Sequence, residues 1–200
     1  MKKPNLLLAL IAFLLAVTQV SAWVTVNTIQ QPLLFTPTNV VESPVALTNY
    51  TTTPQAAQTP GQAVGFTFTS NLANANFECA ITSADPLNLT SGGNTIQVRN
   101  FRIGLNAPGA ATFTGTTNGS GGYGNVIYIG ATLRVPANAP SGTYTGTFTL
   151  RVRVQNGAWG NWDTTTVNYN ISVTIVERML LNKIRDLSFG SIATPLPLQG

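Results

Sequence analysis

A long alternation of apolar and polar residues dominates the second half of the chain. From Thr143 to Val154 every second residue is apolar or glycine, and the residues between them are threonines and arginines. Residues 164–176 repeat the pattern with Thr, Asn and Ser at the polar positions. Alternation this regular predicts strands with one face on a core and the other in water. The inward positions of the first strand are Tyr144, Phe148, Leu150, Val152 and Val154.

The segment between these two strands contains Asn156 and Gly157, a dipeptide that favours the turns of β-hairpins. The two strands are therefore predicted to pair as one long antiparallel hairpin, with one face buried and one face wet. Shorter alternations occur upstream, in residues 64–69, 77–81 and 127–135.

Two upstream segments depart from simple alternation. Between Val98 and Phe101 the apolar phase switches, which predicts a β-bulge or a change of sheet. Residues 48–62 contain few bulky residues and are predicted to form a loop. About eight to ten short strands without an amphipathic helix indicate an all-β domain. An antiparallel β-sandwich is favoured over a closed barrel because the loops are unequal and the strand lengths vary, as Greek-key connections require.

The first 22 residues have the features of a secretory signal peptide. Lys2 and Lys3 precede an apolar run from Leu6 to Val17, which is shorter than the roughly 20 residues that span a bilayer. Cleavage is expected after Ala22. We therefore expect a protein that is exported to the periplasm, the cell surface or the medium, and not an integral membrane protein. The expected organisation is a signal peptide at 1–22, a β-sandwich domain at 23–177, and a C-terminal extension or truncated second repeat at 178–200.

The distribution of charge argues against a nucleic-acid partner. Without Lys2 and Lys3 the chain has eight Lys and Arg against six Asp and Glu, a net charge of +2. A nucleic-acid-binding surface is expected to show clustered basic residues. Five of the seven arginines are instead scattered along predicted strands, where they are expected to face solvent: Arg99, Arg102, Arg134, Arg151 and Arg153.

The chain offers little catalytic chemistry. It has no histidine, which removes the commonest general base and metal ligand. The glycine-rich residues 119–125 precede a strand and lack the lysine of a phosphate-binding loop. The single cysteine, Cys79, shares the phase of Phe77 and Ile81 and is predicted to be a small buried core residue, with an intermolecular disulfide as the alternative. We therefore predict a protein that is not an enzyme and that uses no cofactor or metal.

Three sequence features are found together in a known class of exported proteins. They are the turn SGGN at 91–94, the segment GTYTGTFT at 142–149 and the inward-facing aromatic residues within 64–69. In these features residues 60–154 resemble exported bacterial β-sandwich domains of the spore coat protein U and fimbrial-subunit type. Within that group the chain is most similar to an uncharacterised family. The tail phrase LSFGSI at 187–192 resembles the way such domains begin.

The resemblance implies an immunoglobulin-like sandwich with a structural role at the cell surface. Fimbrial relatives lack their last strand, and the N-terminal extension of a neighbour completes the sheet. The implied partners are copies of this chain or related surface subunits, bound by strand addition. The chain departs from that pattern because it has one cysteine where many relatives have a disulfide. In addition, residues 164–176 follow the GTYTGTFT strand and could complete the sheet in cis.

An aromatic loop supports a second hypothesis. Trp159 and Trp162 lie near the predicted hairpin tip, and Tyr123 lies in another loop. Exposed aromatic rings beside amides could stack on sugar rings or bind a partner. The alternative is that both tryptophans cap one end of the core, since large aromatics are usually mostly buried. The sequence thus predicts a non-enzymatic pilus-like or coat-like subunit, with a surface adhesin or glycan-binding module as the alternative.

Overall fold

The computed structural model describes residues 23–35, 39–41, 47–52, 62–106, 109–157 and 160–177. The expected signal peptide at 1–22 and the expected C-terminal extension at 178–200 lie outside these residues. The described residues form eleven strands: β1 Val24–Gln30, β2 Asn39–Val41, β3 Leu47–Thr52, β4 Val64–Ser70, β5 Asn76–Ile81, β6 Leu87–Ser91, β7 Asn94–Gly104, β8 Thr112–Thr116, β9 Ile127–Val135, β10 Gly142–Asn156 and β11 Asn161–Val176.

The strands lie in two layers that share one continuous path of hydrogen bonds. The first layer contains β1, β4, β9, β7 and β6 in that order, with β3 beside β4 along one edge of β9. The second layer contains β8, β5, β10, β11 and β2. A single pair between Thr90 and Thr145 joins β6 to β10 at one corner. The named strands pair antiparallel, except that β2 runs parallel to β11.

Greek-key connections carry the chain repeatedly between the layers, for example from β4 to β5 and from β9 to β10. The prediction of an all-β, immunoglobulin-like antiparallel sandwich with Greek-key connections is therefore confirmed. The barrel alternative is wrong, because within the described part of the chain the path of paired strands begins at β1 and ends at β2, and these two strands do not pair with each other.

Inward-facing side chains of both layers form one core. Phe68 of β4 packs edge-on against Phe77 of β5, with ring centroids 4.8 Å apart, and the rings of Phe101 and Phe148 lie 5.2 Å apart. Each fully buried side chain of this size contributes about 1.5–3 kcal/mol to folding. The inward residues of β10 are all completely buried: Tyr144, Phe148, Leu150, Val152 and Val154.

The β10–β11 hairpin is the longest pairing in the structure. Its register runs from Gly142 opposite Ile175 to Asn156 opposite Asn161. Gly157 has a positive φ of 71°, which suits glycine in the connecting turn. The other edge of β10 pairs with β5 and β6 of the same chain. The sheet around β10 is therefore completed in cis.

The phase switch in β7 is a β-bulge, as predicted. The register with β9 shifts between Arg99 and Arg102, and Asn100 has a positive φ of 54°. Both carboxylate oxygens of Asp85 accept a hydrogen bond from the Asn100 N–H, at 3.0 and 3.1 Å. Asn tolerates the left-handed conformation better than most residues. The bulge allows residues on both sides of it to point into the core.

The predicted loop at 48–62 is partly wrong, because β3 occupies Leu47–Thr52 and pairs with β9. The segment contains Thr and Tyr, which favour strands, but it lacks the apolar alternation that identifies a strand in sequence. Its strand conformation depends on the neighbouring edge of β9, which the sequence pattern does not reveal.

Candidate functional site

Strand β1 forms an edge of the first layer. Within the described residues it pairs only with β4, from Val24 opposite Ser70 to Gln30 opposite Gly65. None of its side chains is fully buried. Two apolar side chains stand out in solvent: Trp23, just before the strand, is 52% exposed and Ile29 is 60% exposed.

Side-chain hydrogen bonds hold β1 in place at both ends and in the middle. The Trp23 N–H donates to Asn71 Oδ1 at 3.1 Å, and Gln30 Nε2 donates to the Ala63 carbonyl at 2.7 Å. The Thr28 hydroxyl bonds the hydroxyl of Tyr169 on β11 at 3.0 Å, which ties β1 to the second layer. The strand is therefore an ordered edge and not a loosely attached terminus.

The sequence of β1, VTVNTIQ, contains no charged residue and no proline. Natural edge strands are usually protected from pairing with other chains by charges, by proline or by a strong bulge. β1 carries only one register shift, between Thr28 and Gln30, near its end. Its remaining backbone presents donors and acceptors that another strand could pair with.

Strand β8 is an edge of the second layer and is also uncharged. Within the described part of the chain, Thr112–Thr116 pairs only with β5, and its three threonines are exposed. β8 packs near β7, whereas β1 packs near β11. The two uncharged edges thus lie on opposite sides of the sandwich.

Trp162 projects from the outer face of β11, away from the core. It is 36% exposed, and the Arg153 guanidinium lies 4.4 Å from the centre of its ring. This stacking covers one face of the indole. Gln155 lies opposite Trp162 in the strand register. The interpretation that Trp162 caps the core is therefore wrong.

Arg153 also belongs to an ion-pair cluster on this outer face. Arg153 Nη2 donates to Glu78 Oε2 at 2.8 Å, and Arg151 Nη2 donates to Glu78 Oε1 at 2.9 Å. The hydrogen bond from Arg153, helped by that from Arg151, lowers the pKa of Glu78 below its ordinary value, although burial opposes the shift. Sequence reasoning missed this cluster, because 73 residues separate Glu78 from Arg151.

A shallow groove of about 370 Å³ lies at the hairpin-tip end of the sandwich. Residues 72–76, Gln155 and Gly157 line it. Asn76 Nδ2 donates to Gln155 Oε1 at 3.0 Å, so amide groups border the groove on the side that faces Trp162. Amides and an exposed indole are groups that bind sugars or other polar ligands.

The three aromatic residues suggested as a contact site are not gathered in one place. Tyr123 packs between Phe77 and Phe113, with ring centroids 5.1 and 5.7 Å away, and so belongs to the aromatic packing between the layers. Trp162 faces outward from the second layer. Trp159 lies outside the described residues.

Cys79 is completely buried in the core, and burial raises the pKa of its thiol. A buried, protonated thiol is neither nucleophilic nor available to a neighbouring molecule. Among the described residues, no three His, Cys, Asp or Glu side chains are grouped as a metal site would require. The described part of the chain likewise contains no helix with the length and hydrophobicity to cross a bilayer.

The family model described as "Domain of unknown function (DUF4402)" matches residues 36–153. No curated protein matches the sequence. One similar solved structure is AggA, the major subunit of aggregative adherence fimbriae type I from Escherichia coli. It shares 13% identity, with 80% of this chain and 98% of that chain covered, at a TM-score of 0.36.

Two further similar structures are fimbrial proteins. The CooA pilin subunit from enterotoxigenic Escherichia coli shares 14% identity over 78% of this chain and 99% of that chain, at a TM-score of 0.36. The other is self-complemented MyfA, the major subunit of Myf fimbriae from Yersinia enterocolitica, in complex with galactose. It shares 12% identity, with 76% of this chain and 98% of that chain covered, at a TM-score of 0.33. The fold assigned above rests on the strands of this chain and not on these likenesses.

Proposed function

The chain belongs to the DUF4402 family, and we propose that it is a non-enzymatic structural subunit of the cell surface that assembles through β-strand contacts. The proposal includes a signal peptide at 1–22, a mature chain that begins at Trp23, and one sandwich domain that ends at residue 177. The observation that carries it is the uncharged, singly paired edge strand β1.

Cis completion of the sheet around β10 determines which contacts are available for assembly. β11 pairs with β10 along its whole length, so a donor strand from a neighbour has no gap to fill at that position. Strand addition would instead extend an outer edge of a layer. Backbone hydrogen bonds at such an edge provide affinity without a special sequence motif.

The positions of β1 and β8 favour open assembly over a closed dimer. A contact between two copies of the same edge has two-fold symmetry and stops at a dimer, whereas a contact between different edges continues from copy to copy. β1 and β8 lie on opposite sides of the sandwich. Two copies joined by a β1–β8 contact would therefore keep a free β8 at one end of the assembly and a free β1 at the other end. We therefore propose head-to-tail addition of β1 to β8.

Lysine substitutions on the edges test the proposal. Asn27→Lys on β1 and Thr114→Lys on β8 place a charge beside each proposed contact, as natural edge strands do. The matched control is Thr145→Lys, which adds the same charge to the outer face of the central strand β10. Sedimentation velocity of the mature protein should show multimers in the wild type and in the control, and monomers in both edge variants.

The proposal predicts unchanged melting temperatures for the two edge variants, because both side chains are exposed. A wild-type protein that sediments as a monomer at every concentration would contradict assembly through these edges. Equal loss of multimers in the Thr145→Lys control would show that added charge alone, and not the edge, disrupts association.

A second candidate function is glycan binding at the hairpin tip, which the exposed Trp162 and the amide-lined groove support. The face of the Trp162 indole that Arg153 does not cover could stack on a sugar ring. Asn76 and Gln155 could then form hydrogen bonds with the sugar hydroxyl groups. Trp162→Ala should then abolish binding on a glycan array while the melting temperature changes by only a few degrees. An unchanged array signal in that variant would remove this candidate.

A further inference from the structure

Strands β7 and β9 bring three arginines together on the outer face of the first layer. Arg99 lies opposite Thr132 in the register, and Arg102 lies opposite Gly130. Arg134 lies two residues beyond Thr132 on the same face, so it is a diagonal neighbour of Arg99, about 7–8 Å away between Cα atoms. The residues between these positions, such as Val98 and Leu133, are buried, which places the arginines on the solvent side.

The charges of this arginine face are not neutralised as they are on the opposite layer. Among the described residues, the ion pairs are those of Glu78 with Arg151 and Arg153, all on the second layer. The other carboxylates of the described residues are Asp163 on β11, Glu177 just after β11, and Asp85, which binds the Asn100 N–H of β7. Three guanidinium groups beside one carboxylate leave a net positive face. Glu42 lies outside the described residues.

Hydrogen bonds hold part of this face in a fixed arrangement. Arg99 Nη2 donates to Gln97 Oε1 at 2.8 Å, and Gln97 Nε2 donates to Asn88 Oδ1 at 3.4 Å. A groove of about 360 Å³ meets this face at Arg134 and is lined by Thr95, Gln97, Arg134, Pro136 and Ala137. The face thus combines three guanidinium groups, of which that of Arg99 is held by a hydrogen bond, with hydroxyl and amide groups beside a concave surface.

We propose that the arginine face, formed by Arg99, Arg102 and Arg134, binds an acidic polysaccharide. A guanidinium group binds a carboxylate or sulfate through two parallel hydrogen bonds. Thr95 and Gln97 supply the neutral donors and acceptors that sugar hydroxyls need. Within the groove a polysaccharide fits better than a nucleic acid, because none of its lining residues is aromatic and none can stack on a base. The aromatic ring on the same outer face, that of Tyr128, lies beyond Arg102 and packs over Gly65 of β4. The face is distinct from the hairpin tip, which lies on the other layer.

Direct binding of polygalacturonate to the mature protein tests the proposal. Arg134→Gln should weaken binding about tenfold, as expected for the loss of one charge-assisted contact. The matched control is Arg151→Gln, which removes the same charge from the opposite layer and should leave the affinity unchanged. Arg134→Lys should recover only part of the loss, because lysine lacks the planar fork. Circular dichroism of each variant checks that it is folded.

Two comparison ligands make the outcome decisive. Dextran of similar length, which is neutral, should not bind, and double-stranded DNA should bind more weakly than polygalacturonate at the same salt concentration. Tighter binding of DNA, no binding of polygalacturonate, or equal weakening by Arg134→Gln and Arg151→Gln would each overturn the proposal.

Discussion

Gly146 of β10 lies directly against Leu89 of β6, at the corner where the two layers join. A Cβ atom at position 146 would lie 2.5 Å from Leu89 Cδ2 and 3.2 Å from the Asn88 carbonyl oxygen. Leu89 is completely buried, so its side chain has little room to move away. The neighbouring pair Thr90–Thr145 depends on this close approach. The glycine in the GTYTGTFT strand therefore allows β6 to reach β10.

Gly146→Ala should lower the free energy of unfolding by about 1–3 kcal/mol, the usual cost of overpacking a core. Urea unfolding followed by circular dichroism measures the change. The same substitution should cost less in a Leu89→Ala background, because the shortened side chain leaves space for the new methyl group. An identical cost in both backgrounds would show that the contact between positions 146 and 89 is not the cause.

Glu78 should make the stability of the protein depend on acid pH. Because its pKa is lowered in the folded state, the unfolded chain takes up the proton first as the pH falls, and unfolding is favoured. Glu78 therefore contributes stability above its ordinary pKa of 4.5 and loses that contribution as the pH falls through its folded pKa. The contribution should be about 1 kcal/mol, since the arginines are partly exposed.

Urea unfolding of the wild type and of Glu78→Gln, from neutral pH down to about pH 3, isolates this carboxylate. The difference in unfolding free energy between the two proteins should be largest at neutral pH and should shrink as the acid is protonated. A difference that stays constant with pH would contradict a role for the Glu78 charge.

Truncation of Tyr123 should cost more stability than truncation of Trp162. Tyr123→Ala removes packing against Phe77 and Phe113 and should cost about 1–3 kcal/mol of stability. Trp162→Ala removes a stacked but exposed ring and should cost less than about 1 kcal/mol. Thermal unfolding of the two variants compares them directly. A larger loss for Trp162 would mean that the hairpin tip is part of the structural core.

Cys79 should be unreactive in the folded protein. Its thiol is completely buried and its pKa is raised, so a thiol reagent such as Ellman's reagent should react only after unfolding. A non-reducing gel of the purified protein should show no disulfide-linked dimer. Rapid reaction under native conditions would support the alternative of an intermolecular disulfide.

The fold could be predicted from sequence wherever a strand has one buried face. The alternation in β10 and β11 identified the hairpin, and the phase switch between Val98 and Phe101 identified the bulge. Strand β3 could not be identified in this way, because its conformation depends on the edge of β9 and not on an apolar pattern. Local periodicity reports burial, and it does not report which strands pair.

The candidate sites were harder to predict, since they depend on register between distant strands. The five arginines of the described residues separate into two sets on opposite layers. Arg151 and Arg153 share Glu78, whereas Arg99, Arg102 and Arg134 have no such partner among the described residues. Trp162 and Tyr123 similarly have different surroundings, although both were expected in loops. No sequence pattern in a single chain carries this information.

Chemical cross-linking of the two proposed edges tests the central proposal most directly. Cys79 is buried, so cysteines introduced by Asn27→Cys and Thr114→Cys provide the reactive thiols in the folded protein. A short bis-maleimide added to the mature double variant should give a ladder of multimers on a denaturing gel, while either single variant stays monomeric. Dimers from Asn27→Cys alone, or no products from the double variant, would contradict head-to-tail assembly of β1 with β8.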